Sequence, residues 1–434
     1  DFLKKVDVKK IINKKLSGCP LTSAELEFII MSYVDNTIND SIMTDFLKSV
    51  HQNGMVKDEI VSLTRIMINS GETIDFSGLN SFVADKHSTG GVGDKVSIIL
   101  GPILASLGIA VPMLAGRSLG HTGGTIDKLE TIPGFNTNLT IADFKNNVER
   151  SGVCIMSQTE SICPADKKIY ALRDITGTID SIPLICGSIM SKKISEGIDG
   201  LVLDIKIGNG AFMRSLSQGK KLGTMLKFIG EQFNVSTKVV YSNMDQPLGK
   251  TAGMWCEIEE SIHALKGNGS EDLMRVIFEL GSKLIIEAGI VETTLEATEI
   301  QKKSINNGMA FEKFEEMVSN QDGIIKKAGE LNAPIFSKEI TSKKDGYLKS
   351  FDTIAVGWAA VEMGCGRKIK SDKLDNTAGS KFNAKVGDYI EEGDRIMSCF
   401  NSDNDKLNDA HSKLIKTFQL SDEKVKSPDL IYQD

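Results

Sequence analysis

The chain has 434 residues, 41% hydrophobic and 25% charged, enough for two or three domains around a large core. Its 51 Lys+Arg against 58 Asp+Glu give a formal charge of −7, which excludes the broad basic footprint of a nucleic-acid binder or of a protein held on an acidic membrane surface. Any anion must therefore be bound by a local cluster.

The first sixteen residues, "DFLKKVDVKKIINKKL", interleave lysines at 4, 5, 9, 10, 14 and 15 with Phe2, Leu3, Val6, Val8, Ile11 and Ile12, and predict a helix with a solvated lysine face. They lack the apolar core and cleavage site of a signal peptide. "TSAELEFIIMSYV" opens with a capping box, Thr22 and Glu25, while "DSIMTDFLKSVHQNG" and "KDEIVSLTRIMINSG" each run to a glycine. These amphipathic helices are expected to pack on one another or on a partner subunit.

From residue 80 the rhythm becomes strand, loop, helix. "SFVADKH" leads into the glycine loop of "DKHSTGGVGDK", then "VSIILGPILASLG" as helix and "IAVPML" as strand. Val96 to Leu114 carries no charge, but Gly101-Pro102, Gly108 and Pro112 divide it into a buried helix and a buried strand, so no membrane span is expected. A helix "IADFKNNVERSG", a strand "VCIMSQ", helices through "PADKKIYALRDITGTIDSIPLICGSIMSKKISEG", a strand "DGLVLDIKIG", a helix "LSQGKKLGTMLKFIGEQF" and a strand "TKVVYSN" follow. They predict a mainly parallel sheet over residues 80–260 with a helical excursion inside it. Two long helical stretches come next, "SEDLMRVIFELGSKLIIEAG" and "TLEATEIQKKSINNGMAFEKFEEMVSNQ"; beyond 336, short strands around Gly-Asp turns predict a separate α+β domain. The fold class is thus α/β plus α+β.

Seven scattered cysteines form no CxxC pair and no metal spacing with the five histidines. Reduced thiols, no metal, no cofactor and a cytoplasmic location are the expectation.

The chemistry is expected in three places. The first loop, 85–95, has a strand before it and a helix after it, and its glycines let backbone N–H groups approach an anion. It is not a Walker A loop, because Lys95 follows Asp94 and Val96 stands where Ser or Thr belongs. Lys86 fits either charge neutralisation of a phosphate or a solvated surface lysine; His87 fits either a proton donor at the reacting centre or a satisfied strand-end histidine. The second loop, "AGRSLGHTGGTIDKLETIPGF", leads into a helix near Thr125 and would meet the first at the carboxyl ends of adjacent parallel strands, where one phosphate is held from two sides. His121 within it fits a role or a structural position equally. In "YALRDITGTIDSIPLICGSIMSKK", Arg173 follows one helix, while Ser188 and Lys192, four apart, share a face of the next. Together they suit an acceptor-rich planar ring or an anionic leaving group, or else are exposed helix charges.

"DKHSTGGVGDK", "GRSLGHTGGTIDKLETIPGF", "YALRDITGTIDSIPLICGSIMSKK", "VLDIKIGNGAFM" and "MDQPLG", in this order, resemble the thymidine phosphorylases and pyrimidine-nucleoside phosphorylases over nearly the whole chain. The resemblance implies a homodimer in which a helical domain (1–68 and 164–195) faces an α/β domain (69–163 and 196–335) across a cleft, with a C-terminal α+β domain (336–434). It implies phosphate bound through Lys86, Ser88, Ser97 and Thr125, and the pyrimidine through Arg173, Ser188 and Lys192 with His87 reaching the base. His87, Arg173 and Lys192 would then be catalytic, and Phe212 would cover the sugar. The partners implied are inorganic phosphate and a pyrimidine nucleoside, with no nucleic acid and no membrane. Thymidine phosphorolysis, a broader activity that includes uridine, and a nucleoside-binding homologue of reduced turnover all remain open.

Two departures bear on that choice. Ala115-Gly116-Arg117-Ser118 stands where the family reads Ser-Gly-Arg-Gly or Ser-Gly-Arg-Ala, so a hydroxyl expected on phosphate is missing, and Ser118 is a candidate substitute. Met254-Trp255-Cys256 precedes Glu257 where the family has Gly-Asn-Ala, near a segment that in bacterial pyrimidine-nucleoside phosphorylases can carry potassium. Lys95 is expected to replace that cation. A phosphoribosyltransferase would need acidic residues for Mg²⁺ around pyrophosphate, and the pairs Asp58-Glu59 and Glu271-Asp272 lie outside these loops.

Overall fold

In chain order, helices α1 (Val8–Leu16), α2 (Ser23–Val34), α3 (Asp40–Asn53) and α4 (Lys57–Asn69) come first. Next are β1 (Ala84–Ser88), α5 (Val96–Ser106), β2 (Val111–Ala115), α6 (Thr125–Leu129), α7 (Ile141–Ser151) and β3 (Val153–Ser157). Helices α8 (Pro164–Thr176) and α9 (Ile182–Ser195) interrupt the alternation, which resumes with β4 (Gly200–Ile207), α10 (Leu216–Gln232) and β5 (Ser236–Asn243). Then follow β6 (Thr251–Gly253), α11 (Trp255–His263), α12 (Glu271–Glu287), α13 (Thr294–Asn306), α14 (Met309–Asn320) and α15 (Ala328–Leu331). The remainder is β7 (Phe336–Thr341), β8 (Gly346–Phe351), α16 (Thr353–Ala360), β9 (Gly379–Phe382), β10 (Tyr389–Ile390), β11 (Arg395–Asn401), α17 (Asn404–Leu414), β12 (Phe418–Ser421) and β13 (Ile431–Tyr432). This computed structural model describes residues 7–369 and 371–433. Its contacts divide the chain into two units: residues up to 78 with 158–199 and 221–237, and 79–157 with 200–220 and everything from 238 onward.

The first unit is a helical bundle whose core gathers Leu26, Ile29, Phe46, Leu47, Leu63, Met67 and Leu184. Thr22 and Glu25 form the expected capping box on α2, and Gly54, in the left-handed region at φ 67°, closes α3. Helices α4 and α9 lie so close that a Cβ on Gly187 would come 3.2 Å from Leu63 Cδ2. One expectation is corrected: Lys15 is not on a solvated face. It is 2% exposed, and its ammonium lies 2.8 Å from both oxygens of Glu59. Residue 15 lies on the same face of α1 as the buried Ile11 and Ile12, and Glu59 is itself fixed by the N–H groups of Leu21 and Val56, each at 2.8 Å. Lys14 pairs with Glu25 at 2.8 Å; Phe2, Leu3, Lys4, Lys5 and Val6 lie outside the described residues.

The second unit holds the sheet. β1 pairs in parallel with β4, from Ala84 on Gly200 to Ser88 on Asp204, and β2 pairs in parallel with β3. A parallel bridge between Val83 and Ala110 joins the two pairs. β5 lies beside β4, and β13 closes the sheet antiparallel to β5. All eight residues of β4 are buried, as strands covered by helices on both faces require. A two-residue strand has no periodicity to read, so the pairing of 431–432 with β5 was not legible. The uncharged segment becomes the buried helix α5 and strand β2, and among the described residues no helix is long and apolar enough to cross a membrane.

A second correction concerns "TLEATEIQKKSINNGMAFEKFEEMVSNQ", which is two helices, α13 and α14. Gly308, at φ 86°, takes the left-handed conformation that ends a helix, its N–H bonding Ile305 O at 3.1 Å. Asn307 then accepts the N–H of Met309 at 3.1 Å and starts the next. The antiparallel sheets β6-β9-β11-β7 and β10-β8-β12 complete the unit.

Candidate active site

In the second unit, β1 delivers Lys86, His87 and Ser88 at its carboxyl end. Alternation along a strand puts Lys86 and Ser88 on one face and His87 on the other. The loop that follows turns through Gly90 and Gly93, both in the left-handed region; at Gly93 an added Cβ would lie 2.4 Å from Leu248 O, so glycine is required. Lys86 is buried, donates to Ser97 Oγ at 3.4 Å and stands 3.7 Å from Asp94 Oδ1. Ser97 lies in the first turn of α5. Ser88 Oγ accepts the N–H of Gly90 at 3.1 Å. Thr125 is the first residue of α6.

Burial pushes the Lys86 ammonium down, against the pull of Asp94 and Asp204. Burial alone would raise Asp94, but Lys86, Lys206, the Ser88 hydroxyl and Lys128 hold its carboxyl far below the usual range. Lys206 pairs with Asp204 at 2.6 Å, and Asp204 also accepts Ser242 Oγ at 2.5 Å. Lys128 pairs with Glu257 at 2.5 Å and donates to Asp94 O at 2.8 Å. Sequence reasoning missed Asp94, Asp204, Lys206 and Lys128; the signal for Asp204 and Lys206 was a pair of charges inside an otherwise apolar strand.

The second loop is tied by Asp127, which accepts Ser118 N at 2.8 Å and the guanidinium groups of Arg117 and Arg367, each at 3.0 Å. The Ser118 hydroxyl, the expected substitute for the one missing at Ala115, is buried without a hydrogen-bond partner among the described residues, 3.5 Å from where a Cβ on Gly366 would sit. His121 Nε2 is 2.7 Å from Gly210 O, and its ring lies 5.4 Å from that of Phe212 and 6.3 Å from that of Trp358. Burial lowers its pKa although the Gly210 carbonyl opposes this. The half-exposed Phe212 ring borders both glycine loops, 3.5 Å from a Cβ placed on Gly90 and 3.9 Å from one on Gly120.

Lys95 occupies a cage. Its ammonium donates to the carbonyl oxygens of Gly93 (2.7 Å), Leu248 (3.1 Å) and Thr251 (3.0 Å) and lies 3.1 Å from Glu260 Oε2. Burial would lower its pKa, but Glu260 and Glu257 raise it on balance. Three carbonyl oxygens and a carboxylate thus surround the one positive charge of Lys95.

In the first unit, Asp166, Tyr170 and Arg173 fall at i, i+4 and i+7 on α8, hence on one face. Arg173 stands in the last turn of this helix, not after it as expected, because the helix continues to Thr176 and closes on the left-handed Gly177. Its Nε donates to Thr178 O at 3.2 Å and its Nη2 to Ile179 O at 2.6 Å, two of its five N–H donors. Burial pushes the guanidinium down, and Asp166, Tyr170 and Asp180 act against it. On α9, Lys192 Nζ donates to Ser188 Oγ at 3.0 Å and to Asp166 Oδ2 at 2.7 Å. Both cations lie 6.0 Å from the Tyr170 ring centroid. The structure thus brings Arg173, Ser188 and Lys192 together around Tyr170 and Asp166, two residues whose helical spacing alone could have flagged them.

Compared with known proteins, residues 9–71 match the glycosyl transferase family helical bundle domain, 80–311 the glycosyl transferase family a/b domain, and 347–421 the pyrimidine nucleoside phosphorylase C-terminal domain. The chain is 39% identical over 425 residues to the pyrimidine-nucleoside phosphorylase of Geobacillus stearothermophilus, covering 97% of this chain and 98% of that protein. The chain belongs to the pyrimidine-nucleoside phosphorylase family. A second member, from Staphylococcus aureus strain USA300, is 40% identical over 426 residues, 98% of each chain. Membership makes the chain an enzyme of the pentosyltransferase class. Among solved structures, anthranilate phosphoribosyltransferase from Thermus thermophilus shares the fold at 15% identity, with a TM-score of 0.57 over 72% of this chain and 99% of that one. Among the described residues no group of three or more His, Cys, Asp or Glu is placed to hold a metal ion.

Proposed function

We propose that the chain catalyses reversible phosphorolysis of pyrimidine nucleosides, thymidine and phosphate giving thymine and 2-deoxy-α-D-ribose 1-phosphate. Lys86, Ser88, Ser97 and Thr125 hold the phosphate. Arg173, Ser188 and Lys192 hold the pyrimidine, with His87 as a further donor to the base. The observation that carries this reading is the donor cluster of α8 and α9. Lys192 donates to Ser188 Oγ, which turns the serine's own proton outward, so three side chains present N–H and O–H donors to a ring rich in carbonyl acceptors.

Breaking an N-glycosidic bond leaves positive charge on the sugar and negative charge on the pyrimidine. Arg173 and Lys192 stabilise the latter, each donor of this kind contributing roughly 10²–10³ in rate. Phosphate attacks the opposite face of the sugar and inverts its anomeric carbon, so no carboxylate nucleophile is needed. Holding the two reactants in register supplies about 7–11 kcal/mol of the barrier. A homodimer, a cytoplasmic location and Lys95 in place of a potassium ion complete the proposal.

The test is base release from thymidine, deoxyuridine and uridine, each with and without inorganic phosphate. Phosphate-dependent release supports the reading, and the relative rates rank the sugars and bases. Thymidine binding without release from any of the three would favour the nucleoside-binding alternative, with the missing hydroxyl at Ala115 as its first explanation.

A further inference from the structure

Lys86, Ser88 and Ser97, the groups offered above to phosphate, are gathered about a single carboxylate, Asp94. Lys86 Nζ is 3.7 Å from Asp94 Oδ1 and 3.4 Å from Ser97 Oγ, and the Ser88 hydroxyl is among the groups that lower the pKa of the same carboxylate. Asp94 is not free to swing away: Oδ1 accepts Val96 N at 3.2 Å, and its backbone carbonyl accepts Lys128 Nζ at 2.8 Å. Nor is it protonated, since Lys86, Lys206 and Lys128 together keep it ionised against its burial. The other charges here are matched elsewhere. Lys206 has Asp204 at 2.6 Å and Lys128 has Glu257 at 2.5 Å, while Asp85 Oδ1 takes the Lys86 backbone N–H at 2.6 Å.

An oxyanion that reaches Lys86, Ser88 and Ser97 therefore touches a fixed, ionised oxygen. A carboxylate only accepts hydrogen bonds, so this contact is favourable only if the anion brings a proton. Near neutral pH phosphate and arsenate keep a hydroxyl; sulfate has none. We propose that Asp94 makes this subsite select a proton-bearing oxyanion, phosphate or arsenate, over sulfate by accepting a hydrogen bond from the anion's own hydroxyl. The inference rests on the phosphorolysis reading and adds a specificity residue to it. No proton is transferred: the anion's hydroxyl donates to Asp94, and the Ser88 hydroxyl donates to the anion.

The experiment is calorimetric titration of the full chain with phosphate, arsenate and sulfate near neutral pH in chloride buffer. Phosphate and arsenate should bind within a few-fold of each other and sulfate about 10- to 150-fold more weakly, the range of a lost hydrogen bond to a charged group. Asp94→Asn supplies N–H donors as well as an acceptor and should bring sulfate to within a few-fold of phosphate; Asp94→Ser serves if the asparagine variant does not fold. Sulfate binding to the unaltered protein as tightly as phosphate would overturn the proposal without any variant, and so would a folded variant that keeps the original ratio. Intact anion preference without thymine release would support the selectivity while sinking the phosphorolysis reading. Phosphate-dependent release without anion preference would do the reverse.

Discussion

The candidate site residues of the two units hold their positive charges differently, although Lys15 in the first unit is buried on Glu59 much as the lysines of the second are paired. In the second, Lys86, Lys95, Lys128 and Lys206 are each at most 3% exposed, and every one stands beside a carboxylate: Asp94, Glu260, Glu257 and Asp204. In the first, Lys192 also has a carboxylate, Asp166 at 2.7 Å, but keeps 23% of its side chain exposed, and Arg173 spends its bonds on backbone carbonyls. Buried lysines need partners, because an unpaired charge out of water is costly. The result is a frame that is almost neutral before any ligand arrives. Within it Lys86 differs from the rest, since its carboxylate is 3.7 Å away while those of Lys95, Lys128 and Lys206 are at 3.1, 2.5 and 2.6 Å. Lys86 is the lysine left with slack for an incoming anion; the other three are structural.

If that division is right, the structural lysines should fail by unfolding and Lys86 by losing activity. Glu260→Ala leaves the Lys95 ammonium caged without its carboxylate and should cost about 3–5 kcal/mol of stability, read from urea unfolding. Lys86→Ala should lower kcat/KM for phosphate by roughly 10²–10³, or about 2.7–4 kcal/mol; an equal loss in both stability and activity for the two variants would erase the distinction. Ala115→Ser restores a hydroxyl at the end of β2 and should tighten phosphate by about 1.5–3 kcal/mol through its Michaelis constant, and an unchanged constant would show that this position does not meet the anion.

Surface pairs belong at the lower end of the scale. Lys14 and Glu25, 36% and 26% exposed, are 2.8 Å apart, and Lys14→Ala should cost about 0.2–1 kcal/mol. Burial would raise the Glu25 carboxyl, but Lys14 and the Thr22 cap lower it on balance. Its contribution is therefore present above the unfolded value of about 4.3 and is lost as pH falls through the depressed folded value, so the difference between wild type and Lys14→Ala should shrink in acid. The smallest expected effect is none: exhaustive removal of potassium should leave activity intact, because the Lys95 ammonium fills the cation's place, and a strict potassium requirement would refute that.

Much of the site was legible because its residues announce themselves locally. Lys86, Ser88 and Ser97 flank a glycine loop between a strand and a helix, and Ser188 and Lys192 are four apart on one helix. Asp94, Lys206 and Lys128 were not legible as a group, since they come from a loop, a strand and a helix and meet only once remote segments such as β1 and β4 are paired. Lys15 misled for the same reason: a lysine among lysines reads as solvated until Glu59, 44 residues away, is folded against it.

The sequence by itself determined the local order: helical starts at capping residues, the strand, loop, helix alternation from residue 80, the glycines that loops need, and the family. Tertiary structure alone decided which charges are buried and which partner each one takes, why Ser118 is enclosed, and that the last strand of the sheet comes from Ile431–Tyr432. The reason is range. Periodicity and turn chemistry act over a few residues, whereas the pairing of buried charges depends on desolvation and on distances that exist only when remote segments have packed.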